Sequence, residues 1–533
     1  MQSLNCLLYC LTLLLWPLVQ IHAQGNLSAN NNRHSEDASL SGASRRTSQW
    51  VYQNGQGKLS YKTLERGDRI PDYSYAGYKG GGVAIPLLPV KITLSPAAGD
   101  NTDAIQQAID AVSGMPLVNG SRGAVLLQPG IYDCERPLVI RASGVVLRGS
   151  GAGADGTVIR MTGNPHACIT ITGMVTAQPI GDAVRITDSY VPVNASSFTV
   201  NETGGLAPGD TIRITRPVTP AWVHFMGMDQ LTRDGKQQTW ISGDIVIDRV
   251  IKSITHNTIT VGLPLTDNYD ARYLNPPGVT VSKVTLRGGL FQTGIEDLRM
   301  AAPDQTGTIN EAHHRAFTMK GVRDSWARNI EIQNTINSVS ISDAKRITVE
   351  RVRITHTMPT VGSAKPADLN GSGSQLLFNQ CYIKGDNVFY FATGPKVSGP
   401  VVLLHCTFEG NGWIQPHQRW ATVLLVDGCN VPDGGIDFMN RGAMGSGHGW
   451  AIGWAVAWNC KARSYLNQQP PGAANWVIGS QGAHQQRARP FDKTPLLEEG
   501  IYDAAGEAVT PNSLYLAQLA ERLGAQAVKN VGY

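Results

Sequence analysis

Short β-branched runs, each closed by a cysteine, punctuate the second half of this chain. They read LLFNQC, VLLHC, TVLLVDGC and AVAWNC, and end at Cys381, Cys406, Cys429 and Cys460 with intervals of 25, 23 and 31 residues. Self-similarity at such a period predicts stacked repeats, one turn of chain lying on the next. A free cysteine packs as a small hydrophobe, so the four read as an inward-facing stack that marks register. His417 and His448 each stand twelve residues before one of these cysteines, Cys429 and Cys460. If the cysteines align, the histidines stack, provided the extra residues of the last interval, around NRGAMGSG, fall before His448.

The pattern changes along the chain. Residues 1–23 form an early apolar stretch ending at Ala23 and read as a secretory signal, although no Lys or Arg precedes the apolar run. Residues 24–60, rich in Asn, Ser, Gly and Arg, read as a flexible leader. In GDNTDAIQQAIDAVSG, Asn101 or Thr102 can cap a helix whose Ala104, Ile105, Ala108, Ile109 and Val112 share one face. Short strands broken by Gly and Pro follow, completing a segment at 61–174. Residues 175–285 alternate with period two between turn signals and predict inserted antiparallel hairpins. The repeats resume over 286–490, with NWVIGSQG near 475–482 as a last coil. The segment 491–533 ends in an amphipathic stretch, SLYLAQLAERLG, expected to pack back on the body.

The helix D-x-T-x-A-I-Q-x-A-I-D, then G-x-V-x-L-x-P-G-x-Y and V-x-L-R-G-x-G, resembles the N-terminal opening of the pectate-lyase-like, right-handed parallel β-helix superfamily. The resemblance covers about 70 residues of the 533. It implies an all-β solenoid in which the amphipathic helix caps the open end. The superfamily includes polysaccharide lyases and polygalacturonases, and also phage tailspikes and epimerases. SGHGWAIG around His448 resembles the GHG element of polygalacturonases. Their remaining motifs are missing, because Asn101-Thr102-Asp103 lies in the cap helix and no Asp-Asp pair occurs. The aspartate cluster and W-x-D-H motifs of calcium-dependent pectate lyases are also missing.

Composition narrows the partners. The net charge is +4, only 16% of residues are charged, and there are 58 glycines and 11 tryptophans. Without a basic tract, nucleic acid is a poor partner, and no later segment could span a bilayer. A mildly basic, tryptophan-rich surface suits an acidic polysaccharide. Six cysteines remain after the signal, with no CxxC or HxxxH spacing, so no metal or other cofactor is expected, with calcium left open. A solenoid buries its own core, which makes a monomer the default.

The candidate chemistry concentrates between 413 and 476. His417, Arg419, Arg441 and His448 are the catalytic candidates. An arginine can take a carboxylate bidentately, and a histidine can serve as base or acid near neutrality. Trp420, Trp450 and Trp476 are candidate sugar-stacking platforms, with Asn475 beside the last. Trp454 and Trp458 read instead as core. A second group, His313, His314, Arg315 and Lys320 with His356, Lys365 and Lys384 in later coils, reads mainly as ordinary polar side chains facing water. From it, His356 and Lys384 join the candidate substrate contacts.

The favoured expectation is a secreted polysaccharide lyase acting on a uronic-acid glycan by β-elimination. A glycoside hydrolase on the same scaffold would need paired carboxylates. Asp386, Asp427, Asp433 and Asp437 are the nearest, and Asp386 with Asp427 is the pair to test. A third alternative is a non-catalytic glycan-binding solenoid.

Overall fold

The computed structural model describes residues 46–533 apart from 306, 492 and 493. The expected signal and most of the expected leader lie outside the described residues. The chain folds as a right-handed parallel β-helix whose coils carry three parallel faces. On one, the groove face, Phe389 pairs with Trp413, Trp413 with Gly435 and Gly435 with Ser464. On the second, the covered face, Leu425 pairs with Val456, Val456 with Trp476 and Trp476 with Ile501. On the third, Tyr382 pairs with Thr407, Thr407 with Asn430 and Asn430 with Lys461.

Two apolar cores follow from side-chain alternation along the strands. The inner core fills the solenoid and includes all four cysteines of the series, together with Cys134 and Cys168. All six are buried and free. Each cysteine of the series directs its thiol at a carbonyl, as in Cys429 Sγ to Leu403 at 3.5 Å and Cys460 Sγ to Val426 at 3.2 Å. The stack is therefore packing, and its register holds through all four coils.

The outer core lies on the covered face, beneath residues 50–76, the inserted sheet and the C-terminal helices. It accounts for the alternation in WAVAW. Ala455 and Ala457 point into the solenoid, while Trp454, Val456 and Trp458 point outward under this cover. Both parities are buried.

The cap helix spans Thr102–Ser113 and buries Ile105, Ala108, Ile109 and Val112. Asn101, one of the two expected caps, stands at the N-cap position, but its side chain makes no capping hydrogen bond. Asp100 Oδ1 accepts the Thr102 amide at 2.9 Å, while the Asn101 side chain binds the preceding loop at Ala97 and Gly99. The insertion contains a six-stranded antiparallel sheet, in which Val175–Arg185, Thr211–Arg216, Ile245–Thr255 and Thr280–Gly288 are the long strands. It leaves the solenoid after Ala167–Thr172 and returns at Leu290–Phe291. The tail helix Leu514–Leu523 begins at Ser513, whose side chain accepts from the Leu516 amide.

Two expected boundaries move. Residues 46–60, read as leader, belong to the body. Arg46 pairs with Val509, Ser48 donates to Asp503 at 2.8 Å, and Trp50 packs edge-on against Trp476. The polar composition around them hid the apolar pair Trp50 and Val51. The solenoid also runs past 490, because Ile501–Asp503 adds a coil beyond Trp476–Ile478. No helix among the described residues is long and apolar enough to cross a membrane.

Candidate functional site

A groove of about 820 Å³ runs along the groove face across successive coils marked by Asn337, Ala367, Phe389, Trp413, Asp437, Ser464 and Gln485. At about 4.8 Å per coil, those seven coils span roughly 29 Å. Five basic side chains line it, Arg233, Lys365, Arg441, Arg463 and Arg487. Asp437 is the one carboxylate lining it among the described residues. The insertion contributes Arg233, whose guanidinium lies 4.4 Å from the Phe491 ring.

The centre of the groove is built by two loops that leave the groove face in neighbouring coils. The first is Gln415–Trp420, following the strand Trp413–Ile414. The second is Met439–Trp450, following Asn430–Phe438. The loops are locked together by the Arg419 amide donating to the His448 carbonyl at 3.0 Å and the Trp420 amide to the Trp450 carbonyl at 2.9 Å. This brings the His417 and His448 rings to 4.7 Å, centroid to centroid. The extra residues of the longer interval form the turn at 441–447, before His448. Gly445 is required there. It has φ 58°, and a Cβ would sit 2.2 Å from Nε2 of His448.

Arg441 is the pivot. Its side chain is buried, with Nη1 donating to Gln415 Oε1 at 2.6 Å and to His417 Nδ1 at 3.0 Å. The Gln415 amide in turn donates to Asp437 Oδ2 at 2.7 Å. Burial, opposed by Asp437, lowers the Arg441 pKa to about 10. Burial, followed by Arg441, His448 and Arg419, pushes His417 down to about 3. Burial, then Arg441, Arg419 and Arg233, pushes His448 down to about 4. Both imidazoles are therefore neutral at ordinary pH. Burial raises Asp437 to about 6 against the pull of Gln415, Arg487 and Arg441.

Two polar atoms at this centre are buried without a partner, Nε of Arg441 and Nδ1 of His448. Leaving such groups unpaired is expensive, on the order of 1–3 kcal/mol each. The arrangement sets buried hydrogen-bond donors beside two neutral bases. Among the described residues, no cluster of three His, Cys, Asp or Glu side chains could hold a metal ion.

The remaining sequence candidates divide clearly. Arg419 is near but occupied. Its Nε donates to the Trp240 carbonyl at 2.6 Å, and its Nη2 donates to Ser446 Oγ at 2.7 Å and to the Ser446 carbonyl at 3.0 Å. It braces the loop against the insertion. Trp420, Trp450 and Trp476 are buried in the outer core, and none is a stacking platform. Trp420 donates to Asp267 and Trp450 to the Met226 carbonyl. Asn475 is fully buried and satisfies backbone at Ala455 and Gln468. Lys384 is exposed on the third face, paired in register with Thr355 and Glu409, away from the groove. His356 Nε2 donates to buried Asp368 Oδ2 at 2.7 Å. Burial opposes its charge, yet Asp368 raises its pKa overall, a structural ion pair. His314 is buried against His166, and Lys365 does reach the groove.

Sequence reading missed Gln415, Trp413, Arg463, Arg487 and Arg233 and left Phe389 unremarked. Trp413, Gln415 and His417 occupy alternate positions of one run, so period-two reasoning from His417 would have found two of them. Trp413 is half-exposed, and Lys365 Nζ lies 4.8 Å from its ring. The hydrolase pair is not assembled. Asp427 lies fully buried under the tail helix, bonded to Ser513 Oγ, while Asp386 is exposed at another corner and accepts from the Asn411 amide.

No protein-family model matches the chain, and no curated protein matches it. Solved structures similar to it include the Gp54 tailspike of Acinetobacter baumannii bacteriophage AP22, in complex with A. baumannii capsular saccharide. That match has 10% identity over 72% of this chain and 61% of the tailspike, with a TM-score of 0.31. The chain thus spans less than two thirds of the tailspike's length. The A-module of the Azotobacter vinelandii mannuronan C-5 epimerase AlgE6 matches at 10% identity over 79% of this chain and 100% of the module, with a TM-score of 0.30. A ι-carrageenase complexed to ι-carrageenan fragments matches at 11% identity over 82% of this chain and 64% of that enzyme, with a TM-score of 0.29.

Proposed function

We propose that the protein is a polysaccharide lyase that cleaves a uronic-acid-containing glycan by β-elimination in the groove centred on His417, Arg441 and His448. The observation that carries this reading is the buried Arg441, hydrogen-bonded to His417 and holding an unpaired Nε at the floor of a groove with five basic side chains. A uronate carboxylate meets that requirement, and its neutralisation acidifies the proton on C5.

The two neutral imidazoles take different parts. Arginine only donates, so Nδ1 of His417 must accept from Arg441, and the neutral ring carries its proton on Nε2. His417 is then a hydrogen-bond donor to the substrate. His448 makes no such bond and is the free base. It takes the C5 proton as the C4–O bond breaks, leaving a C4=C5 double bond. The protonated His448 then returns the proton to the departing oxygen, which regenerates the neutral ring. No metal enters this scheme.

A hydrolase is less well supported, because Asp437 lacks a second groove carboxylate among the described residues. The reading also implies an exported protein, since its polymer lies outside the cell, and a monomer, since the groove is formed within one chain.

The test is incubation with a panel of uronate polysaccharides while following absorbance near 235 nm. A rise that is lost in His448→Ala supports the reading. Reducing ends without absorbance mean hydrolysis, and binding without either signal means a glycan-binding solenoid.

A further inference from the structure

A second groove, of about 640 Å³, lies where the inserted sheet meets the turns leaving the groove face. It is lined by six basic side chains and two carboxylates. Asp248, one of the two, is engaged by Arg213 through bonds of 2.8 and 3.1 Å. Arg249 is 3% exposed and has no carboxylate within ion-pair distance among the described residues. It binds only the carbonyls of Asp248 and Pro264, and its Nε is buried without a partner. Lys345 stands beside it with one long contact, 3.4 Å, to the Asp248 carbonyl. Burial, followed by Arg249 and Arg346, depresses Lys345 to about 8.

Cations held together, desolvated and short of counter-charge are unfavourable for the empty protein. They become favourable when an anion enters. The groove also adjoins the first. Asn370 and Gly394 line one, Ser372 and Pro395 line the other. Ser372 ties them together, donating to Asn370 Oδ1 at 2.6 Å and accepting from the Gly394 amide at 2.8 Å. Lys396, on the second rim, donates its amide to the Arg419 carbonyl at 2.8 Å.

We propose that this second groove is an anion-binding subsite, built on Arg249 and Lys345, for an acidic unit of a glycan strand whose reacting unit lies between His417 and His448. It rests on the proposed function for the identity of the strand. The insertion thereby acts as a second wall for long chains. Short oligosaccharides fill the first groove alone, and only longer ones reach Lys345.

The experiment measures binding, not cleavage. Calorimetry is run with short and long oligogalacturonates and oligomannuronates on the intact protein, on Lys345→Gln and on Lys320→Gln/Lys345→Gln. Crystals of the unaltered protein are soaked in selenate. Neither lysine touches the His417–His448 centre, and unchanged thermal unfolding confirms that the variants fold. The expected result is selenate density at Arg249 and Lys345, with long oligomers bound roughly tenfold more weakly by Lys345→Gln, the scale of one charge-assisted hydrogen bond, and short oligomers unchanged. Selenate density without a length-dependent loss would mean an adventitious ion only and overturns the proposal, as does the lack of any density. Length-dependent binding with no rise at 235 nm on any substrate upholds the subsite and rejects the lyase reading instead.

Discussion

Arg441 Nη1 reaches Nδ1 of His417 at 3.0 Å, and that contact makes the two stacked histidines chemically unequal. One ring has its tautomer imposed by a cation that can only donate. The other, His448, has a buried and unpartnered Nδ1 and a pKa lowered to about 4. Replacing Arg441 by Lys keeps the charge but loses the fork that spans Gln415 and His417. Arg441→Lys is expected to lower kcat/KM about a hundredfold, in the range seen when one charge-stabilising donor is removed. Initial rates at 235 nm measure it. A loss under threefold would show that Arg441 does not hold the substrate carboxylate.

The inequality of the histidines gives a second prediction. Asparagine at 417 can accept from Arg441 through Oδ1 and donate to substrate through Nδ2, so His417→Asn is expected to retain about a tenth of kcat. His448→Asn removes the base and is expected to lose about a thousandfold. Steady-state rates on the same glycan decide between this order and its reverse. Equal losses would mean the two rings act as one unit.

The same rings make stability depend on pH, and the sign follows from their depressed values. An unfolded histidine titrates near 6.5, whereas the folded His448 titrates near 4 and His417 near 3. Between those values the unfolded chain binds more protons, so stability falls as pH drops below about 6.5 and stops falling once pH passes below the folded values. Thermal unfolding across this window should show a shallower acid decline in His417→Gln/His448→Gln than in the unaltered protein. Parallel curves would place the acid sensitivity elsewhere.

The solenoid and the meeting of His417 with His448 were legible because both depend on period. Stacked coils repeat the same inward positions, and four cysteines at one corner reveal the repeat. The tryptophans were misleading for a related reason. Strand alternation tells which residues share a side, but not whether the outer side faces water. On the covered face it meets the insertion and the tail, so Trp420, Trp450 and Trp476 are core. On the groove face the outer side lines an open groove, and Trp413 stays half-exposed. Arg233 arrives from a distant insertion and could not be placed by any local period.

That contrast is measurable. Trp420→Ala removes a buried indole bonded to Asp267 and should destabilise by about 3–5 kcal/mol, a shift visible in denaturant unfolding. Trp413→Ala should leave unfolding nearly unchanged and raise KM several-fold, as expected for loss of one aromatic contact of about 1 kcal/mol. A rise in KM for Trp420→Ala at unaltered stability would return that residue to the substrate list.

Asp427 offers a test of how the tail is held. Its Oδ2 accepts from Ser513 Oγ at 2.7 Å and from the Tyr515 amide at 2.8 Å, so it sits at the start of the tail helix, while Oδ1 is buried without a partner. Burial, opposed by those hydrogen bonds, raises its pKa to about 7. An unfolded aspartate titrates near 3.9. The folded chain therefore binds more protons between those values, and this group's contribution is full below the unfolded value and is lost as pH rises through about 7. Asparagine at 427 keeps an oxygen for Ser513 and Tyr515 and cannot ionise. Asp427→Asn is expected to be more stable than the unaltered protein above neutrality, by about 1–3 kcal/mol, and to lose that advantage in mild acid. Unfolding temperatures measured from mildly acidic to mildly alkaline pH should converge at the acid end. A constant difference at all pH values would show that Asp427 stays in one protonation state and that only its hydrogen bonds hold the helix.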